Sequence, residues 1–72
     1  MTRSIFTRKN ALQKIYDLTL DDLLQEEDFI LASVTAQRVH DFYLSKSNAV
    51  LAGWLADALF DGDETKVTVI ES

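Results

Sequence analysis

The chain has 72 residues, no cysteine, no proline and a formal net charge of -5, from twelve acids against seven bases. That length holds one small domain of marginal intrinsic stability, with no disulfide to help it and, with one His and no thiol, without the donors of a structural zinc site. The acidic balance argues against direct nucleic-acid binding, which needs Lys and Arg to neutralise phosphates, and favours a protein partner with a basic surface.

Hydrophobic residues at 47% and charged residues at 26% are the balance of a folding chain rather than a disordered one. The longest uncharged, mostly apolar run, Ala49 to Ala56, is far short of a bilayer span. The amino-terminal stretch also lacks the apolar core of a signal peptide, so no membrane contact is expected and the cytoplasm is the default location. Charge is unevenly spread. Arg3, Arg8, Lys9 and Lys14 make the first sixteen residues basic, Asp17, Asp21, Asp22, Glu26, Glu27 and Asp28 follow, and Asp57, Asp61, Asp63 and Glu64 form a second acidic cluster.

In chain order, Arg3 to Thr7, with Ile5 and Phe6, reads as a short extended segment or as the lead-in to a helix capped by Thr7. Ala11, Leu12, Ile15 and Tyr16 recur at helical spacing and predict a first helix from Arg8 to Leu18. Thr19 is a good N-cap with Asp21 and Asp22 in the turn after it, which predicts a second, short helix from Leu20 carrying Leu23 and Leu24. Glu26, Glu27 and Asp28 predict a break, with Asp28 capping the next helix, Phe29 to Leu44, on Ile30, Leu31, Val34, Val39, Phe42 and Tyr43.

Ser45 to Asn48 has the polar residues of a helix connection. Val50, Leu51, Trp54, Leu55, Ala58 and Leu59 then predict a last helix, ended by Gly62 in a left-handed conformation. Ala49, Ala52, Gly53 and Ala56 offer it a second face on which another helix can approach closely. Val67, Val69 and Ile70 make the segment from Lys66 to Ile70 extended, and its backbone groups then need partners. Those are Ile5 and Phe6 of this chain, the same tail of a second subunit, or the sheet edge of another protein.

The expected fold is all-α: three to four short helices in a small bundle with a short C-terminal strand. Its expected core is Leu12, Ile15, Leu23, Leu24, Ile30, Leu31, Val34, Val39, Phe42, Trp54, Leu55 and Leu59.

No catalytic, cofactor or metal site is expected. His40 and Asp41 are neighbours, and adjacent helical residues point about 100° apart, so they do not read as a dyad. The segment Asp61-Gly62-Asp63-Glu64 fails as a calcium loop, because the sixth position, where glycine belongs, is Lys66. The expected function is that of a non-catalytic regulator or inhibitor, of the kind compact bacterial or phage genomes encode, acting by occupying a partner protein's surface. Its contact residues are Asp21, Asp22, Glu26 and Glu27, with Val67, Val69 and Ile70 of the tail. The alternatives are a structural homodimer closed through the tail or the small-residue face, and an acidic mimic of nucleic acid that blocks a DNA- or RNA-binding enzyme.

Overall fold

The computed structural model describes residues 3–71. Strand β1 (Ser4–Thr7) leads straight into helix α1 (Arg8–Leu24), followed by α2 (Phe29–Tyr43), α3 (Asn48–Leu59), a single 3-10 turn (Glu64–Lys66) and strand β2 (Val67–Ile70).

Side-chain caps start each helix. Thr7 accepts from the Asn10 amide, Asp28 from the Leu31 amide and Ser47 from the Val50 amide, each satisfying one of the free N–H groups of a first turn. At the end of α3 the amides of Phe60 and Gly62 both reach the Ala56 carbonyl. The chain then turns through left-handed residues Asp61 and Gly62 (φ 52° and 86°), the conformation that glycine adopts without cost.

Two of the expected helices are one. The segments read as Arg8 to Leu18 and a separate helix from Leu20 run unbroken to Leu24, with Thr19 in the interior. A capping side chain stabilises a helix start only where the chain before it leaves helical geometry, and no glycine or proline forces that at Leu18. Continuing keeps every interior backbone hydrogen bond. It puts Asp21 and Asp22 in the last turns, where the dipole disfavours acids by about 0.3–1 kcal/mol each, an effect that their exposure screens. The break expected near Asp28 falls where the chain turns, at residues 25–28.

The all-α expectation also needs amending, because β1 and β2 form a two-stranded parallel sheet with Ser4 opposite Val67 and Phe6 opposite Val69. A parallel pair needs a long crossover, and here all three helices provide it. The tail's backbone partners are therefore this chain's own residues 4–7. Alternation along the strands turns Val67 and Val69 inward with Phe6, while Ile5 and Ile70 face outward.

The core is smaller than the pattern implied. Its main cluster is Ala11, Leu12, Ile15, Leu51, Leu55, Ala56, Val67 and Val69, with Phe6, Leu18, Val39, Tyr43 and Trp54 packed against it. Of the residues expected inside, Leu24, Ile30, Leu31, Val34, Phe42 and Leu59 are exposed. Helix α2 meets α1 through Ala32 and Ala36, both fully buried, and rests on α1 almost alone. Small residues at that contact let the helices approach closely, and the large side chains of α2 are left turned away.

The molecule is consequently flat and drawn out, 37 × 24 × 14 Å, with a radius of gyration of 12.4 Å. A compact chain of this length has about 11 Å. The second half of α1 and the first half of α2 form a hairpin that extends beyond the main cluster.

Arg8 fixes the other end of that hairpin. Its guanidinium donates to the carbonyls of Leu44 (2.8 Å) and Lys46, just past the end of α2, and to Asn48 Oδ1 (2.7 Å) at the first residue of α3. The Asn48 side-chain Nδ2 in turn donates to Glu71 Oε2 at 2.8 Å, just beyond β2. The small-residue face expected on the last helix is partly used inside the fold: Ala56 is fully buried and Ala52 partly so. A methyl group at Gly53 would meet only Glu64 Oε1, at an ordinary 3.7 Å, so this glycine is not demanded by a close approach.

Candidate protein-binding surface

The tip of the hairpin gathers two features. Phe29, Ile30, Leu31 and Val34, in the first two turns of α2, are 66%, 77%, 49% and 45% exposed. A helix that is apolar on all sides is normally covered on all sides; only the side of Ala32 and Ala36 is covered here. The acids lie just ahead of them in the chain, Asp21 and Asp22 in the last turns of α1 and Glu26 and Glu27 in the turn that follows. Asp21, Asp22 and Glu26 are exposed and Glu27 is half-buried, and among the described residues none of the four pairs with a Lys or Arg. Glu27 Oε2 is buried without a hydrogen-bond partner.

The strand residues singled out from sequence lie at the other end of the fold, and the structure does not bring them together with the acids. Val67 and Val69 are committed to the core, which leaves Ile70, 45% exposed, and the outer edge of β2 for any partner. The sequence pattern does not reveal the exposed start of α2 as a surface, because it places Ile30, Leu31 and Val34 in the core. The signal was the run Phe29-Ile30-Leu31-Ala32, which has no polar side at all.

Between α2 and α3 lies an open groove of about 480 Å³ lined mainly by Val39, Phe42, Tyr43 and Trp54, with Thr19, Thr35 and Arg38 as its polar members. Tyr43 and Trp54 meet edge to face at 6.4 Å. A second groove of about 420 Å³, on the side of Arg8, Lys9 and His40, is the more basic one. Arg38 has no ion pair among the described residues.

His40 Nδ1 lies 3.1 Å from Asp41 Oδ1, so these neighbours do meet despite their angular separation. This contact, and a second from Gln37, hold the Asp41 carboxyl below its ordinary value. Among the described residues no hydroxyl bonds the imidazole; Gln37 Nε2 lies 3.5 Å from its Nδ1, and the Tyr16 ring meets it in a T-shaped contact at 6.5 Å. The described residues contain no group of three or more His, Asp or Glu side chains placed to hold a metal ion, and no helix long and apolar enough to cross a membrane. Comparison with protein-family models, with curated proteins and with solved structures gave no match for this chain.

Proposed function

We propose that this protein is a non-catalytic regulator or inhibitor that works by laying the tip of its helical hairpin on another protein. The observation that carries the reading is the set of four large apolar residues, Phe29, Ile30, Leu31 and Val34, left uncovered at the start of α2, directly after an α1 end and turn that carry unpaired carboxylates. Apolar side chains supply the affinity of such a contact, and the acids supply steering and selectivity toward a basic rim. Ile70 and the outer edge of β2 form a second, smaller contact of the strand-adding kind.

The test is affinity capture with the full chain, comparing wild type with an Asp21→Asn, Asp22→Asn, Glu26→Gln, Glu27→Gln variant and with an Ile30→Glu, Val34→Glu variant. The reading expects a target that both variants lose, and a wild-type interaction that weakens as salt is raised. Undiminished capture by both variants removes it.

A further inference from the structure

We infer that the first protein to cover the hairpin tip is a second copy of this chain, packed α2 against α2 in antiparallel fashion about a two-fold axis between Ile30 and Val34. The inference rests on the reading of the tip as a binding surface and names its occupant.

Three observations favour a second copy. The first is position. Ile30 and Val34, one turn apart, stand on the side of α2 away from Ala32 and Ala36, the pair buried against α1. An antiparallel neighbour centred there sets Ile30 against the partner's Val34, and Val34 against the partner's Ile30.

The second is charge. Arg38 follows Val34 by one turn of α2, and Glu26 and Glu27 lie in the α1–α2 turn just ahead of the Asp28 cap. An antiparallel neighbour centred between Ile30 and Val34 therefore brings the unpaired Arg38 of each copy toward the α1–α2 turn of the other, which carries the unpaired Glu26 and Glu27, once at each end of the contact. The pattern extends beyond this contact: residues 17–30 hold six acids and no Lys or Arg, while residues 8–16 and 36–48 hold five Lys or Arg and one acid. The basic surface that the acidic tip asks for exists on the chain itself, at the root of the hairpin. A parallel pairing would instead set acid on acid.

The third is area. At roughly 150–200 Å² for a large side chain, the exposed fractions of Ile30, Leu31 and Val34 amount to about 300 Å² of apolar surface per copy. Doubled by the two-fold axis and bordered by Arg38 and the acids of the α1–α2 turn, the contact approaches the roughly 1,000 Å² at which specific interfaces begin. Two hairpins joined in this way make a four-helix arrangement, in which the apolar start of α2 is covered on a second side.

Sedimentation equilibrium of the full chain, from low micromolar to several hundred micromolar, tests this. Wild type is expected at twice the chain mass of 8.2 kDa. The Ile30→Glu, Val34→Glu variant should be monomeric while keeping its helical circular dichroism, because both positions are exposed in the single chain. Arg38→Glu should weaken the dimer by about tenfold or more, and Glu26→Arg, Glu27→Arg, Arg38→Glu together should bring most of that affinity back. A wild type that stays at 8.2 kDa throughout overturns the inference. So does a dimer indifferent to both the Ile30, Val34 and the Arg38 substitutions. If the chain is monomeric yet captures another protein through residues 26–38, the second copy is ruled out and the binding surface stands; if neither assembly nor capture responds to these substitutions, both are lost.

Discussion

Replacing Arg8 by Lys keeps the charge and removes the fork. In the native chain the guanidinium reaches two backbone carbonyls and Asn48 Oδ1, so a single side chain ties the start of α1 to the end of α2, the start of α3 and, through Asn48, to Glu71. An ammonium is a compact point charge that cannot span acceptors arranged on separate sides of a planar group. Hydrogen bonds to a charged donor contribute about 1.5–3 kcal/mol each, but the Leu44 carbonyl bond is exposed and water can replace it. We therefore expect a net loss of about 2 kcal/mol, which for a domain of this size lowers the melting temperature by about 8–16 °C. Thermal circular dichroism at low protein concentration measures it, with exposed Lys9→Ala as the control expected within about 0.5 kcal/mol of wild type. An Arg8→Lys protein melting within about 2 °C of wild type would refute the stapling role.

Three further outcomes follow from the same structure. Leu55→Ala, at a fully buried position, should cost about 2–5 kcal/mol, whereas Ile30→Ala, at a position 77% exposed, should change the stability of the dilute chain by no more than about 0.5 kcal/mol; equal losses in urea unfolding would contradict the assignment of the core. Gly53→Ala should raise the unfolding midpoint by an amount worth about 0.5–1 kcal/mol, since the added methyl meets only ordinary contact and helical glycine is costly. The Asp63 carboxyl accepts hydrogen bonds from the Thr65 hydroxyl and amide, with Lys66 nearby, and is held below the ordinary 3.8. A carboxyl lowered in the folded state stabilises it above the unfolded value and loses that contribution as pH falls through the folded one. Asp63→Asn should therefore lower the stability at neutral pH and flatten its fall on the acid side, as pH drops from the unfolded value through the folded one; an unchanged acid limb would count against this carboxylate.

What could be read in the sequence was local. Thr7, Asp28 and Ser47 cap helices because a side chain three residues from an amide needs no knowledge of the rest of the chain, and Gly62 ends α3 for an equally local reason. Thr19 shows the limit of that logic: the same chemistry is silent when the helix simply continues past it. What was not legible depended on distant partners. Arg8 acts across 36 to 40 residues, and β1 pairs with β2 across the whole described chain. The large residues of α2 recur on every side of the helix, so their periodicity has no direction to give. The choice fell to Ala32 and Ala36, small enough for α1 to come close.

That correction moves the binding surface. Of the three partners open to the carboxy-terminal strand, the fold uses this chain's own β1, and Val67 and Val69 are part of the core. Removing the tail takes Val67 and Val69 out of the core and so disturbs the fold together with any interaction, whereas substitutions at the exposed start of α2 leave that core intact.

The most direct test of the central claim, that the start of α2 is the surface by which this protein associates, is an amide chemical-shift comparison of labelled protein, dilute against concentrated and with a captured target added. The account expects perturbations gathered at Glu26 to Arg38. Perturbations confined to Val67–Ile70 and β1, with α2 unmoved, would contradict it.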